Sequence, residues 1–268
     1  MDIISHTLSG VAMGTVVAGL HYKKARKVHW QIIGAGMVGG FVPDVDAIGL
    51  TGVGTAFINL FLDAPLTPHQ VYTGKYWFSH HGALHSATFG WLFILFFGCI
   101  RWFLKQRKHP GSSIGVFVQQ RFPMWLAFFT GLNSHLLEDM PTPFAYWGGV
   151  NYFWPSEAYY GGYGKIWWWN NYDLVLIITG VIVVNLIVLH LRKWLKRKVS
   201  IAVVGVAMLG IAGFVYQVNN RGFDFNHHGS NPNYQEFEAK SLEIQREILG
   251  QRVYNFMYFI DQKIPFYF

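Results

Sequence analysis

Apolar residues run through this chain in long blocks that polar residues rarely interrupt. The two clearest blocks are Leu174–Leu191 and Ile201–Val218. Each approaches the roughly 20 predominantly apolar residues that cross a bilayer as a helix. Four other blocks are shorter, less pure or rich in glycine. The pattern therefore predicts six membrane-spanning helices, of which the other four are Ile3–Tyr22, His29–Leu50, Thr88–Phe103 and Phe122–Leu137.

The polar stretches between the blocks predict which helix ends share a side of the membrane. Fourteen of the 21 Lys and Arg residues lie in or beside three connections, and none of the 14 Asp and Glu residues does. Positive charge in short loops marks the cytoplasmic side. The three connections are Lys23–Lys27, Arg101–Arg121 and Arg192–Lys198. Both termini are then expected outside, together with the segments Thr51–Trp77, Met140–Tyr172 and Asn219–Phe268.

Composition agrees with a membrane protein. The chain is 52% hydrophobic and only 13% charged, about half the usual charged share of a soluble domain. The net charge of +7 comes from the basic connections and indicates anchoring against anionic lipid, so no nucleic-acid partner is expected. No cleavable signal peptide is evident. The single cysteine, Cys99, lies inside a predicted span, so no disulfide within the chain is possible.

These patterns predict an all-α fold, a polytopic membrane helix bundle of about six spans with an outer aromatic loop and an outer C-terminal tail. Residues 1–218 form the predicted membrane-embedded domain, and 219–268 form a tail that belongs to the same fold. The tail contains a candidate surface helix, Tyr234–Leu249. The aromatic segment Tyr146–Trp169 can be a lid or an anchor, and its tryptophans are expected at the headgroup boundary, around the entrance to a site. They are Trp147, Trp154 and Trp167–Trp169.

Ionisable residues gather at the predicted outer ends of four spans that are far apart in sequence. They are Asp2 and His6 at the first span, Asp44 and Asp46 at the second, His80, His81 and His85 at the third, and His135, Glu138 and Asp139 at the fourth. Ionisable groups bordering a bilayer are costly unless they are paired or bind metal. Each pair alone is explained as a cap, a turn or an interfacial ring. Their common location favours a functional site.

The spacings suit a metal site. His135 and Asp139 are four residues apart and therefore share one face of a helix, and the same offset separates Asp2 from His6. Imidazole nitrogen and carboxylate oxygen bind zinc and related divalent ions. The grouped histidines and carboxylates suffice for more than one ion, with zinc favoured. Asp46, Glu138 and His81 are the candidate catalytic residues.

Other motifs are assigned no chemistry. The stretch Gly34–Gly40, "GAGMVGG", matches a dinucleotide-binding fingerprint, but it lies within a span and follows no strand, so helix packing is the better interpretation. Four histidines map to the cytoplasmic side and are interpreted as interfacial residues. They are His21, His29, His109 and His190. His227 and His228, in the tail, are not expected to join the site.

Four stretches occur in an order that resembles a known family. They are "MDIISH", "PDVD", "HHGALHS" and "HLLEDMPTPFAYWGG", followed by "FWP", and together they cover roughly residues 1–155. The chain resembles the YdjM-type membrane-bound metal-dependent hydrolases, and, more distantly, zinc-dependent phospholipase C in its ligand types. The resemblance implies an integral inner-membrane protein of bacteria or archaea with metal-dependent hydrolase activity. The family's motif residues, carried over to this chain, imply that the metal ligands are Asp2, His6, Asp44, Asp46, His80, His85, His135 and Asp139. Two positions depart from the family pattern, where His81 replaces an arginine and Leu84 a threonine.

The expected function is hydrolysis of a phosphoester in a lipid or lipid-linked substrate at the outer leaflet. Two alternatives remain open, a metal-binding membrane transporter and a structural metal module without catalysis. Transporters usually hold ionisable groups near the bilayer midplane, whereas here the groups gather at one face. Structural zinc sites are commonly rich in cysteine, whereas this cluster contains only histidine and carboxylate.

Overall fold

Helices form almost all of the regular structure. The computed structural model describes residues 1–264, so the last four residues of the predicted tail, 265–268, lie outside the described residues. Within 1–264 there are ten α-helices and no β-strand, which confirms the all-α prediction. The helices are α1 (Ile3–Leu20), α2 (Arg26–Phe41), α3 (Gly52–Asn59), α4 (Pro68–Thr73), α5 (Ala87–Lys108), α6 (Ile114–Asp139), α7 (Tyr172–His190), α8 (Arg192–Leu195), α9 (Lys198–Asn219) and α10 (Tyr234–Asp261).

Five helical stretches of the described chain are long and apolar enough to cross a membrane. They are α1, α2 with its continuation to Leu50, α5, α7 and α9. The predicted fourth span, Phe122–Leu137, lies inside α6, which is not among the five. Helix α6 has 26 residues, a length of about 39 Å. Ala127, Leu132 and Leu136 on this helix are fully buried, so part of its surface faces protein and not lipid. A crossing by α6 therefore stays a prediction.

Helices α1, α2 and α6 pack closely because glycines line their contacts. A Cβ atom added to Gly10 on α1 would overlap the backbone oxygen of Gly36 on α2, and one added to Gly131 on α6 would meet the same oxygen. A Cβ atom added to Gly40 would likewise overlap the backbone oxygen of His6. The glycine run of α2 is thus a helix-packing surface, as the sequence indicated. The close approach places the end of α2 beside the start of α1.

The predicted grouping of helix ends is confirmed. The first turn of α1 lies beside the last residues of α2 and of α6, since Gly40 contacts His6 and also accepts a hydrogen bond from His135. The chain before α5 reaches the same end through contacts of His85 with Asp44 and Asp46. We call this the histidine end of the bundle. The basic connections between α1 and α2 and between α5 and α6 lie at the other ends of these helices. We call that side of the bundle, together with the connection Arg192–Lys198, the basic end.

The segment between α6 and α7 is folded against the rest of the protein. Trp167 is fully buried between Phe225 and Ile244 of the tail, and Trp147 is only 8% exposed. These two side chains are therefore enclosed by protein, and the expected location of the five tryptophans at the headgroup boundary stays a prediction. The tail covers Trp167 because it folds back over this segment, and sequence patterning does not reveal such a long-range contact.

The C-terminal tail contains the predicted surface helix and a further helical stretch. Helix α10 is straight to Leu249 and breaks at Gly250, whose φ of 71° is left-handed and therefore favours glycine. Beyond the break, Tyr254 and Met257 pack against Tyr172 at the start of α7. A buried ion pair between Arg221 and Asp173, 2.8 Å between Nη2 and Oδ1, also joins the tail to α7.

Candidate metal centre at the histidine end

Each of four segments brings its polar residues to the histidine end by a local feature of its sequence. His6 lies in the second turn of α1, and His135 and Asp139 lie in the last turns of α6. Asp44 follows Pro43 at the start of the 3₁₀ segment Val42–Leu50, where the fixed φ of proline suits a helical first turn. The remaining histidines precede α5, which begins after the N-cap Ser86.

The predicted ligands form three groups of three residues that share members. Within each group, the ligand atoms lie within 4.8 Å of one another. The groups are His6, Asp44 and His135; His85, His135 and Asp139; and His80, His81 and His85. We call these seven residues the histidine–aspartate cluster. Seven residues from four segments of the chain thus surround one small volume. Of the eight predicted ligands, six belong to the cluster, and His81 joins them.

The spacing of the ligand atoms suits a coordinated cation. His135 Nε2 lies 3.2 Å from Asp139 Oδ2 and 3.7 Å from Asp44 Oδ1, and His85 Nε2 lies 3.7 Å and 3.8 Å from Asp44 Oδ1 and Asp139 Oδ2. Ligands bound to zinc at their usual bond lengths are roughly 3.0–3.4 Å apart. The observed separations are therefore at or slightly above those of a coordination shell.

Several of these atoms are buried but make no hydrogen bond. They are Asp44 Oδ2, Asp139 Oδ2, His85 Nε2 and His135 Nε2. Buried polar atoms in proteins are almost always paired, and an exception points to an unseen partner. A cation beside Asp139 Oδ2 would give that atom, His85 Nε2 and His135 Nε2 a common partner. Asp44 and Asp139 carry two negative charges, which match one divalent ion when the histidines are neutral. The residues therefore fit a bound metal ion.

All five histidines of the cluster turn the same ring nitrogen away from its centre. The Nδ1 atoms of His135 and His81 donate to the carbonyl oxygens of Gly40 and Gly149, each at 2.8 Å. The other three Nδ1 atoms contact carboxylates, 3.0 Å from Glu138 for His6, and 2.8 Å and 3.0 Å from Asp46 for His80 and His85. Metal-binding histidines commonly hold their second nitrogen in this way, which fixes the tautomer.

Asp46 and Glu138 act on the cluster through these histidines. Asp46 bridges the Nδ1 atoms of His80 and His85. Glu138 contacts His6 Nδ1 with one oxygen and accepts a short hydrogen bond from Ser9 Oγ with the other. Neither belongs to a group that could hold an ion. The geometry thus assigns both residues to positioning, and direct roles for them in ligation or catalysis stay predictions.

The first two residues of the chain contribute differently from the sequence prediction. The carboxylate of Asp2 caps α1, accepting from the backbone N–H groups of Ile4 and Ser5 and from the Ser5 hydroxyl. Its oxygens are therefore occupied, and the predicted metal role has no geometric support. Met1, which the sequence did not single out, reaches the cluster with its α-amino group, 2.7 Å from Asp139 Oδ1. Only the folded chain reveals this contact.

His81 is held neutral above the cluster. Burial and the neighbouring His80 lower the pKa of His81 well below its usual range. Since its Nδ1 donates to Gly149, the Nε2 lone pair, 3.9 Å from Asp139 Oδ2, is available to a metal or to a proton. The φ of His81 is 63°, a left-handed conformation that is uncommon for residues other than glycine and is often found at functional sites. Trp147 covers His80 and His81, with ring centroids 5.2 Å and 4.9 Å away.

His85 is the histidine that the carboxylates influence most outside the membrane-spanning segments. Burial alone would lower its pKa, but Asp46, Asp44 and Asp139 together raise the pKa of His85 to about 10. A metal ion must therefore displace a proton from this ring at neutral pH. The remaining predicted interfacial histidines contact backbone carbonyls where they are bonded, as His21 does with Val17 and His29 with His21.

The geometry and the apolar helices define an integral, all-α membrane protein with a buried cluster able to hold a metal ion. The sequence model of the YdjM inner membrane protein family matches residues 1–221, and the chain belongs to this family. It is thus an inner-membrane protein. No curated protein and no solved structure matches the chain.

Proposed function

We propose that the protein is a metal-dependent hydrolase that cleaves a phosphoester of a lipid or lipid-linked substrate at the outer leaflet. The observation that carries the proposal is the common orientation of the five histidines. Four of them hydrogen-bond through Nδ1, and His85 Nδ1 lies 3.0 Å from Asp46 Oδ2. The Nε2 atoms of His6, His81, His85 and His135 all approach Asp139. Such an arrangement supports a rigid metal site prepared for chemistry.

The residues of the cluster divide the chemical tasks. His85, His135, Asp44 and Asp139 would hold the ion, with His6 and His80 completing the shell or holding a second ion. When bound, a divalent cation supplies Lewis-acid activation of water and of a phosphoryl oxygen. Neutral His81, with its unprotonated Nε2, can accept a proton from water or bind to the ion. Asp46 and Glu138 keep His80, His85 and His6 oriented.

Two features of the site favour catalysis over a purely structural metal. Structural zinc sites are closed by four protein ligands, commonly with cysteine, whereas this cluster offers seven candidate ligands and no cysteine among them. Its place at one end of the bundle suits a substrate whose lipid tails stay in the membrane while the head reaches the site. Phosphoesters are favoured because divalent ions stabilise the charge that develops on phosphoryl oxygens.

The function is tested by metal content and hydrolysis in detergent-solubilised protein. We expect wild-type protein to retain a divalent metal after dialysis and to hydrolyse bis(p-nitrophenyl) phosphate or a short-chain phospholipid. His85→Ala and Asp139→Ala should lose the metal and reduce hydrolysis by more than about 100-fold, since even residues behind a metal ligand contribute 10–100-fold. His109→Ala, an exposed residue at the basic end, is the matched control and should change neither.

Each alternative predicts a different result. A structural module would lose metal and thermal stability in the two variants, but no panel of esters would be hydrolysed by the wild type. A transporter would exchange its metal readily and accumulate it in vesicles. If both variants keep full metal content and full activity, the hydrolase proposal is wrong.

The outer location of the site is a separate part of the proposal. A reporter that is active only in the cytoplasm, fused after Lys27, Lys108 or Lys198, should be active. Fused after Asp46 or Trp154, it should be silent. The charge asymmetry of the connections is the physical reason. Reversed activities would place the cluster on the cytoplasmic side while leaving its chemistry untouched.

A further inference from the structure

A second cavity lies beside the histidine–aspartate cluster and uses none of its ligands. Its volume is about 350 Å³, and its walls come from the segments Lys75–Trp77 and Asn151–Tyr159. Both segments are tied to the loop that carries the histidines. The backbone N–H of Asn151 donates to the His81 carbonyl at 3.1 Å, and that of Ala83 donates to the Trp77 carbonyl at 2.8 Å.

The cavity is close enough to the cluster to hold another part of the same substrate. Gly149, which accepts the hydrogen bond from His81, is two residues before Asn151. Two residues of extended chain span at most about 7 Å. The cavity wall at Asn151 is therefore within about 7 Å, along the backbone, of the residue that holds His81.

Four of the nine residues that line the cavity are aromatic. Trp77, Trp154 and Tyr159 line it, and Trp77 is 67% exposed although it is a large apolar side chain. Aromatic faces carry a partial negative charge and attract the polarised C–H bonds of a ring stacked on them. Binding sites for small molecules combine such aromatic walls with a few polar groups that fix orientation.

The polar groups of the cavity are of mixed sign. Lys75 Nζ lies 4.8 Å from the centroid of the Tyr159 ring, and Glu157 supplies a carboxylate. Lys75 would attract a phosphate and Glu157 would repel it. A quaternary ammonium would be repelled by Lys75 and attracted by Glu157. A neutral group with several hydroxyls can accept from the ammonium and donate to the carboxylate. The charges thus favour a neutral, hydrogen-bonding ligand.

Asn151 borders the cavity, but its amide oxygen is enclosed. The residue is 5% exposed, and its Oδ1 is buried without a hydrogen bond. A ligand hydroxyl in the cavity can therefore donate to Glu157 but does not reach this amide oxygen. Aromatic walls and side chains of opposite charge together match a sugar ring, which has C–H groups on its faces and hydroxyls around its edge.

We propose that this cavity binds a neutral sugar unit of the substrate, so that the cleaved bond belongs to a glycosylated lipid or lipid-linked sugar. The substrate assignment rests on the proposed hydrolase function, whereas sugar binding itself does not. The sugar positions the substrate, and its phosphoester extends past Asn151 towards His81 and the cluster.

Direct binding tests the sugar site without any turnover. Glucose, N-acetylglucosamine, phosphocholine and inorganic phosphate are titrated into detergent-solubilised protein, with tryptophan fluorescence and ligand-observed NMR as readouts. We expect one or both sugars to bind and the two charged probes not to bind. Trp154→Ala and Lys75→Gln should each weaken sugar binding about tenfold or more. The first removes an aromatic face that stacks on the sugar, and the second removes the ammonium group that donates to a sugar hydroxyl. Tyr163→Ala, an exposed aromatic of the same segment that does not line the cavity, should bind as the wild type does.

The outcomes separate this inference from the hydrolase proposal. Asp139→Ala should still bind the sugar, since the residue lies outside the cavity. Sugar binding without hydrolysis of any ester would contradict the enzyme and leave the sugar site standing. The sugar site is wrong if neither sugar binds to thermally stable wild-type protein, if phosphocholine or phosphate binds instead, or if both cavity variants bind sugar as the wild type does.

Discussion

The two ends of this helix bundle both contain histidines, but they surround them differently. At the basic end, His29 is buried and lies 3.1 Å from a carbonyl oxygen, with no carboxylate in its connection. At the histidine end, His6 and His85 each lie 3.0 Å from a carboxylate oxygen and share Asp139 with His135. The comparison teaches that burial does not make a histidine a ligand. What distinguishes the histidine end is Asp139, which the Nε2 atoms of His6, His85 and His135 approach together.

The largest effect is expected from the carboxylates behind the rings. Glu138→Gln keeps the shape of the side chain but removes the charge that orients His6, and Asp46→Asn does the same for His80 and His85. Because such residues fix the tautomer of metal-binding histidines, each change should weaken metal affinity by roughly 10–100-fold. Competition with a chelating dye measures the affinity.

The matched control for these variants is Glu243→Gln in α10, which removes an exposed carboxylate from a surface pair with Lys240. It should leave metal affinity unchanged. Equal affinities for wild type, Glu138→Gln and Asp46→Asn would show that the two carboxylates are not part of the metal site.

The second effect concerns pH. His85, with a pKa of about 10 in the metal-free protein, is protonated at neutral pH and must lose that proton to bind an ion. Metal affinity should rise about tenfold per pH unit as the pH increases from 7 towards 10, if this ring is the one that titrates. Calorimetry in buffers of different ionisation enthalpy should detect one proton released at pH 8. A binding isotherm that is independent of buffer and pH would contradict this assignment.

The sign for stability is opposite in the metal-free protein. A raised pKa means that protonated His85 stabilises the folded state below its unfolded pKa of about 6.5. That stabilisation is lost as the pH rises through about 10. The metal-free protein should therefore become less stable across this interval, while the stability of the metal-bound protein, whose His85 carries no proton, should not change through this ring. Thermal unfolding with and without chelator measures both trends.

The third effect concerns the packing of α2, which is close at the histidine end and open at Gly34. Gly40→Ala would place a methyl group against the backbone of His6, whereas Gly34→Ala meets no atom within 4 Å. We expect Gly40→Ala to destabilise the protein by about 1–3 kcal/mol, the usual cost of overpacking, and to weaken metal binding as well. Gly34→Ala should be neutral or slightly stabilising. Identical melting temperatures for the two variants would mean that the α1–α2 contact relaxes without cost.

The smallest effect is expected at the basic end. His29→Gln preserves a donor for the carbonyl oxygen of His21 and removes no carboxylate partner, so metal content and hydrolysis should match the wild type. Elemental analysis beside the Asp46→Asn protein makes the contrast between the two ends quantitative. Loss of metal in His29→Gln would show that the histidines of the two ends do not differ in this way.

Most of the bundle could be predicted from the sequence because membrane helices follow local rules. Long apolar blocks predicted α1, α2, α5, α7 and α9, and the charge of the connections predicted which ends meet. Helix α6 was less clear, since a helix enclosed by other helices need not be apolar throughout. The resemblance to the YdjM-type family implied six of the seven residues in the cluster, and spacing placed His135 and Asp139 on one helix face.

Other features depended on contacts that no local pattern encodes. Asp2 has the spacing of a ligand, but the N–H groups at the start of α1 occupy it. The folding of the tail over Trp167 and the approach of the Met1 amine to Asp139 join residues more than fifty positions apart. Likewise, only the packing of α1 against α6 shows that Glu138 contacts His6.

The sequence by itself determined the helices, the charge asymmetry between the two ends and the residue types at the histidine end, because hydrophobic length, loop charge and helical offset act over a few residues. The tertiary structure alone decided which ring nitrogen of each histidine faces the centre, which carboxylates stand behind the rings, and that an aromatic cavity opens beside His81. Those choices depend on distances of 3 to 4 Å between segments that the chain separates widely, and such distances exist only after the glycine faces of α1, α2 and α6 have packed together.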